Sequence, residues 1–129
     1  MYIPLYNKSN YTLLSSLLKI DDLITYAEKN NISSLSLTDT TMYGTMEFIT
    51  KCKNKSIKPI IGLDVILNDY NIILYAKDYQ GYKSLIKLST IQNERKITEE
   101  DISTYNENLI VVIPYQFKEK YNELKTKIA

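Results

Sequence analysis

The sequence predicts an α/β fold with a largely parallel sheet, because short apolar runs alternate with longer amphipathic stretches along the chain. The stretches between the predicted strands are about 10–13 residues long, as the helices of β–α–β units are. Hydrophobic residues make up 44% of the chain and charged residues 24%, which is the balance of a folded globular protein. At 129 residues, the chain is predicted to form a single domain over 1–129.

The first half of the chain is predicted to contain two strands and two helices. We expect a short strand at 2–6, a helix at 20–30, a buried strand at Leu35–Leu37 and a helix at 42–54. Asp21 and Asp22 favour a helix N-terminus at this point, because acidic side chains stabilise the first turn of a helix. The side chains expected to be buried are Ile20, Leu23, Ile24 and Ala27 on the first helix, and Met46, Ile49 and Cys52 on the second.

The chain near 58–77 is predicted to form a hairpin. Two apolar runs, 58–67 and 71–76, have the length of strands. The pair Asn68-Asp69 between them is typical of a turn, because both side chains can hydrogen-bond to nearby backbone groups.

The last third of the chain is predicted to be helix, helix, strand and helix. Asp78 can cap the first of these helices, and Thr98 with Asp101 resembles a capping box that opens the second. Leu109–Ile113 is a strongly apolar strand candidate, and the final helix is expected from about 115. The side chains expected on the buried faces are Tyr82, Leu85, Ile86 and Ser89 after Asp78, and Phe117, Tyr121, Leu124 and Ile128 in the final helix.

The overall charge does not by itself indicate a domain that binds nucleic acid. Sixteen basic residues against fifteen acidic ones give a net charge of +1, without the basic excess that is typical of nucleic-acid-binding domains. The best local candidate for a basic patch is Lys53, Lys55 and Lys58, and we favour its interpretation as a solvated helix end. Apolar runs such as Leu109–Pro114 are far shorter than the roughly 20 residues that a membrane span requires.

Cys52 is the single cysteine, so the chain cannot form an internal disulfide. That usage suits a reducing, cytoplasmic location. Cys52 lies four residues after Phe48, on the same helical face, and the chain contains no histidine that could act as its base. We therefore interpret Cys52 as a small buried apolar residue and not as a nucleophile.

Asp39 occupies the end of a predicted strand, a position where α/β folds often place ligand-binding residues. The alternative is a structural role, in which Asp39, Thr40 or Thr41 caps the helix that follows. Spacing alone favours the capping role.

Five segments in order resemble the PHP (polymerase and histidinol phosphatase) domain that opens the alpha subunit of bacterial DNA polymerase III. The resemblance covers about 2–114, and no single segment carries it alone. The segments are S-x-YTLL at 9–14, LTD at 37–39 with MYG at 42–44 and EF at 47–48, KPIIG at 58–62 with DV at 64–65, IL-x-AK at 73–77 with GY-x-x-LIKL at 81–88, and LIVV at 109–112.

The resemblance implies a metal site whose histidines are missing. Metal-binding members of the family carry histidines at four of the matching positions, and a glutamate at a fifth. Tyrosine, threonine and asparagine are poor substitutes for imidazole as ligands of Zn²⁺ or Mn²⁺, and a lysine repels a cation. We therefore expect no metal ligands and no catalytic residues, only vestigial metal-site positions at Tyr6, Lys8, Asp39, Thr40, Asp64 and Asn71.

The resemblance further implies the N-terminal part of a distorted (β/α)7-type barrel. The family's domain extends beyond 129 residues, so we expect a truncated piece of a much longer polymerase chain. The parent would be a DNA-directed DNA polymerase, a nucleotidyltransferase of bacterial DNA replication, with the segment itself a catalytically inactive structural and interaction scaffold. The alternatives are an atypical metal-dependent phosphoesterase or 3′–5′ exonuclease, and a free-standing α/β protein-interaction domain.

The same resemblance sets the expected cofactors and partners. We expect no cofactor in this segment, and Mg²⁺ elsewhere in the parent polymerase. The expected partners are the rest of the alpha subunit, other replisome subunits and DNA through the parent protein, with no membrane. We also expect self-association of the segment, because the apolar runs at 71–76 and 109–113 resemble internal strands that need neighbours.

Lys8 leads to one further hypothesis. The resemblance places Lys8, Asp39 and Asp64 around one former metal site. A lysine offers one positive charge and three donors, so its ammonium could replace the metal and bridge both carboxylates. The alternative is that Lys8 points into solvent from a loop.

Overall fold

The computed structural model describes residues 3–9, 19–67 and 69–128, with side chains as far as residue 126. The chain divides into two compact units, Met1–Gly62 and Leu63–Ala129, which are described in turn. The single domain expected over 1–129 stays a prediction.

The first unit contains helix α1 (Ile20–Lys29), strand β1 (Ser34–Leu37), helix α2 (Thr45–Asn54) and the first half of strand β2 (Lys58–Leu67). Helix α1 begins as predicted, and the Asp22 carboxylate accepts a hydrogen bond from the backbone N–H of Lys19 at 3.2 Å. Its predicted apolar face is confirmed, since its four members are all buried: Ile20, Leu23, Ile24 and Ala27.

Strand β1 pairs in parallel with β2, from Ser34 beside Lys58 to Leu37 beside Ile61. The predicted strand at 2–6 is wrong over residues 3–6, which have no regular secondary structure, while residue 2 lies outside the described residues. Pro4 has no N–H to contribute to a ladder. The segment is held largely by side-chain hydrogen bonds, as shown below for its contacts with β1.

Helix α2 begins at Thr45, three residues later than predicted, and its buried face differs from the expected one. Met46 is 61% exposed, so its predicted burial is wrong, and Ile49 is half-buried. The buried face contains Thr45, Phe48 and Cys52. Because each residue turns a helix by about 100°, a face centred on the large Phe48 ring carries Met46 to the opposite side.

Cys52 is fully buried on this face, as predicted. Burial raises the pKa of its thiol to about 11, so the thiolate that reacts with electrophiles is disfavoured at neutral pH. Cys52 therefore acts as a packing residue.

Ion pairs join α1 to α2 at the surface. The Lys51 ammonium lies 2.6 Å from Asp21 and 2.7 Å from Glu47, and these hydrogen bonds raise the pKa of Lys51 to about 12. Lys55, from the predicted basic cluster, lies 3.5 Å from Glu28. This pairing supports the interpretation of that cluster as a solvated helix end.

The second unit begins with the second half of β2. It continues through β3 (Tyr70–Ala76), α3 (Tyr79–Glu94), α4 (Glu99–Tyr105), β4 (Leu109–Val112), a 3₁₀ turn (Tyr115–Lys120) and α5 (Tyr121–Ile128). The strands follow the order β1-β2-β3-β4, so β2 and β3 are neighbours, as the predicted hairpin requires. Asn68, in the predicted turn, lies outside the described residues.

Strand β4 runs antiparallel to β3, with Ala76 opposite Leu109 and Ile73 opposite Val112. The prediction of a largely parallel sheet is therefore corrected to a mixed sheet. The reason is the connection: two successive helices, α3 and α4, lead away from the end of β3 and back to it. A single crossover helix would have delivered β4 to the opposite end.

The Asp78 cap of α3 is confirmed, because its carboxylate accepts a hydrogen bond from the Gly81 N–H at 2.9 Å. The buried residues of this helix are Gly81, Leu85, Leu88 and Ser89. Ile86 is 40% exposed, so its predicted burial is wrong, and Tyr82 is half-buried. A side chain at Gly81 would collide with the Asn108 carbonyl. Because glycine has no side chain, α3 can approach the start of β4 closely.

The final helix begins as the 3₁₀ turn and becomes α-helical at Tyr121. Leu124 is buried, as predicted, whereas Tyr121 is 52% exposed and was wrongly predicted to be buried. Phe117 is half-buried, with its ring centroid 5.7 Å from that of Tyr70, and the side chain of Ile128 lies outside the described ones. Among the helices that the structure describes, none combines the length and apolarity of a membrane span.

The predicted capping box of α4 is confirmed. Thr98 accepts a hydrogen bond from the Asp101 N–H at 3.3 Å, and its own N–H donates to the Asp101 carboxylate at 2.9 Å. Both terminal guanidinium nitrogens of Arg95 also donate to this carboxylate, at 2.6 and 2.7 Å. These bonds hold the pKa of Asp101 far below its ordinary value of 3.8, so the stability it contributes is complete above pH 3.8 and is lost as the pH falls below it.

Substituting the capping threonine, Thr98→Ala, is expected to lower the free energy of unfolding by about 1 kcal/mol, because the Asp101 N–H loses its acceptor. Urea denaturation at pH 7 measures the change. Thr104→Ala in the same helix is the matched control, since the Thr104 hydroxyl only donates to the Glu100 carbonyl within the helix. Equal effects of the two substitutions would contradict the capping role.

Candidate functional site

Two buried carboxylates mark the positions at which the sequence predicts a vestigial metal site. Asp39 is 1% exposed and follows β1 in the first unit, and Asp64 is 2% exposed and lies on β2 in the second. Buried carboxylates require hydrogen-bond donors or opposite charges, so their neighbours show what each position can do.

Asp39 is held by Ser9. The Ser9 N–H donates to one carboxylate oxygen of Asp39 at 2.6 Å, and the Ser9 hydroxyl donates to the other at 2.5 Å. Both bonds are buried, and hydrogen bonds to a charged acceptor are among the stronger ones in proteins. Each oxygen of this carboxylate thus has a neutral donor from the N-terminal segment.

Asn7 fastens the same segment to β1. Its side-chain amide donates to the Ser36 carbonyl and hydroxyl oxygens, both at 3.2 Å. The backbone carbonyl of Asn7 accepts hydrogen bonds from the Thr38 N–H at 2.8 Å and the Thr38 hydroxyl at 3.1 Å. The Ser36 hydroxyl in turn donates to the Pro4 carbonyl at 2.9 Å.

This arrangement overturns the capping role that spacing favoured for Asp39, Thr40 or Thr41. The N-cap residue of α2 is Gly44, so none of Asp39, Thr40 and Thr41 occupies the N-cap position. Asp39 instead accepts hydrogen bonds from Ser9.

The other vestigial positions also have neighbours of their own. In the first unit, the Lys8 ammonium lies 5.5 Å from the centroid of the Tyr6 ring, within the range of a cation–π interaction. Thr40 is half-buried. In the second unit, the Asn71 side-chain amide on β3 donates to the Asp64 carboxylate on β2 at 3.0 Å.

The chemistry of these side chains does not fit a transition-metal centre. Besides the two carboxylates, the positions carry a phenol, an ammonium, a hydroxyl and an amide, whereas zinc and manganese are held by imidazole, thiolate and carboxylate groups. In the part of the chain that the structure describes, no three His, Cys, Asp or Glu side chains form a group that could hold a metal ion.

Sequence reasoning missed Ser9 and Asn7 as site residues. Both contact residues about thirty positions away, and a contact of that separation leaves no local periodicity or capping pattern. The available signal was chemical: a buried carboxylate needs donors, and the polar residues 7–9 are close in sequence to the expected site.

The family model described as "PHP domain" matches residues 4–124, so the chain belongs to the PHP domain family. The relatives it matches are named DNA polymerase III subunit alpha. That of Halalkalibacterium halodurans is 39% identical over 83% of this chain, that of Ureaplasma parvum 46% over 70%, and that of Bacillus subtilis 34% over 88%. The chain spans only about a tenth of these proteins, from 9% to 11% of their length. It is a PHP-domain segment homologous to that subunit.

Among solved structures, the chain is similar to an amidohydrolase from Chromobacterium violaceum. The TM-score is 0.50 at 17% sequence identity, over 79% of this chain and 37% of the other. The likeness concerns the fold alone, and the structure itself shows a mixed α/β fold with a four-stranded sheet.

Replacing the serine that holds Asp39, Ser9→Ala, is expected to lower the free energy of unfolding by about 1–3 kcal/mol, because a buried charged acceptor loses one donor. Urea denaturation measures the change. Ser103→Ala is the control, since Ser103 is an exposed serine on α4. An unfolding free energy of Ser9→Ala equal to that of the parent would show that Asp39 does not depend on the hydroxyl.

The bridging role of Lys8 stays a prediction, and the same measurement extends to it. If the ammonium replaces the metal, Lys8→Met costs about 1–3 kcal/mol, and the cost shrinks in the background of Asp39→Asn with Asp64→Asn. A Lys8→Met variant as stable as the parent would contradict that hypothesis. The neutral donors of Ser9 would then remain as the groups that stabilise the Asp39 carboxylate.

Proposed function

We propose that this PHP segment is a catalytically inactive structural scaffold within a DNA polymerase III alpha subunit. The observation that carries the proposal is the buried Asp39 carboxylate, whose two oxygens accept hydrogen bonds from the Ser9 N–H and hydroxyl. Asp39 is the one metal-site residue that matches the family unchanged, and its hydrogen bonds join chain segments thirty residues apart. The Ser9–Asp39 contact thus contributes to holding the first unit together.

The chemistry of the remaining positions supports the same proposal. A hydrolytic metal site needs several ligands to hold its ions and lower the pKa of bound water. The chain has no histidine, and Asn71 donates an amide hydrogen to Asp64, a contact that orients a carboxylate but supplies no ligand. By the resemblance, Lys8 would add a positive charge at a position where a metal cation would have to bind.

The proposal for the whole protein rests on the relatives, which are named DNA polymerase III subunit alpha. We infer that the parent protein carries out DNA-templated DNA synthesis in the bacterial cytoplasm, with Mg²⁺ bound outside this segment. Its proposed partners are the rest of the alpha subunit, other replisome subunits and DNA. Self-association of the segment is also proposed, because β4 is the last strand in the described order, with Ile110 and Val112 49% and 40% exposed.

The nuclease reading is tested directly. A 5′-labelled single-stranded DNA incubated with excess protein and Mn²⁺ is expected to stay intact, because the positions that would bind metal lack imidazole ligands. A histidine-bearing PHP domain under the same conditions is the positive control. Shortening of the DNA that disappears in an Asp39→Ala variant would overturn the proposal and favour the phosphoesterase alternative.

Metal content gives a second, activity-independent test. Protein purified without chelator and dialysed is expected to contain far less than one equivalent of zinc or manganese by elemental analysis. Retention of about one or more equivalents per chain would contradict the proposal. Thermal unfolding with and without EDTA is the control, since a chain that needs no metal keeps its midpoint.

A further inference from the structure

The side chain of Gln92 on α3 makes two hydrogen bonds to the backbone of β2. Its amide nitrogen donates to the Asp64 carbonyl at 3.1 Å, and its carbonyl oxygen accepts the Ile66 N–H at 3.0 Å. A carboxamide has the same donor and acceptor as a peptide unit, so one side chain satisfies two backbone groups at once.

These two backbone groups belong to a single edge of the strand. Successive residues of a strand direct their backbone groups to opposite edges, so those of Asp64 and Ile66 point the same way. The carbonyl of one residue and the N–H of the residue two positions later are the pair that a neighbouring parallel strand engages. Gln92 therefore takes the place that one residue of such a strand would fill.

The next position along β2 is paired with the backbone of another part of the chain. Leu67 forms an isolated parallel bridge with Ile97, which follows the end of α3. Ile66, beside the Gln92 contact, is 58% exposed and faces a shallow groove of about 220 Å³. Backbone groups beside an exposed isoleucine would offer another chain a strand to pair with.

We propose that Gln92 is an edge seal: a side-chain substitute for a strand that prevents residues 64–66 from pairing with a second copy of this chain. The neighbouring Lys96 lines the same groove and adds positive charge, which disfavours the approach of an identical edge. Arg95 lines the groove as well, with its charge paired to Asp101. The proposal does not depend on the catalytic state of the metal-site positions.

Hydrogen exchange at a single amide tests the contact. In Gln92→Ala, the Ile66 N–H is expected to exchange at least about tenfold faster than in the parent, because its acceptor is gone. Gln92→Glu keeps an acceptor oxygen and is expected to retain the protection. Gln80→Ala, which removes an exposed glutamine from the same helix, should leave Ile66 unchanged. Equally slow exchange in the parent and Gln92→Ala would overturn the proposal.

Sedimentation equilibrium tests the consequence. Gln92→Ala is expected to self-associate more strongly than the parent by at least about tenfold in dissociation constant, whereas Gln92→Glu, with a charge on the edge, is expected not to. If Gln92→Ala fails to fold, Gln92→Met fills the same space without either hydrogen bond and takes its place. A fast-exchanging Ile66 amide in a variant that associates no more than the parent would overturn the sealing role.

Discussion

A buried carboxylate must be given donors, and in the first unit this requirement joins the N-terminal segment to β1. Asp39 is 1% exposed, and leaving it unpaired would cost several kcal/mol. Ser9 supplies an N–H and a hydroxyl, and Asn7 adds hydrogen bonds to Ser36 and Thr38 on either side of Leu37. The irregular segment 3–9 is therefore ordered by side-chain chemistry in place of a strand ladder.

The features predictable from sequence are those decided by nearby residues. The Asp78 cap, the Thr98–Asp101 capping box and the apolar face of α1 each depend on residues within one or two helical turns. Strand β2 was predictable over its full length because its apolar run is bounded by turn residues. Burial of Cys52 followed from its spacing from Phe48.

The features that escaped prediction depend on partners distant in sequence. The direction of β4 is decided by how α3 and α4 return the chain to the end of β3, and no local pattern records that path. Met46 and Ile86 are apolar at helical spacing, yet packing selected the faces that centre on Phe48 and Leu85. The resemblance located Asp39, but only the structure identified Ser9 as its partner.

The Ser9–Asp39 contact lies within one chain, so its stability depends on conditions differently from that of a bound ligand. A bound metal stabilises a protein by an amount that rises and falls with the free concentration of that metal. Ser9 is tethered to Asp39 by thirty residues of the same chain, so its effective concentration is a constant of the sequence. The strength of the Ser9–Asp39 contact is therefore independent of the concentration of any free ligand.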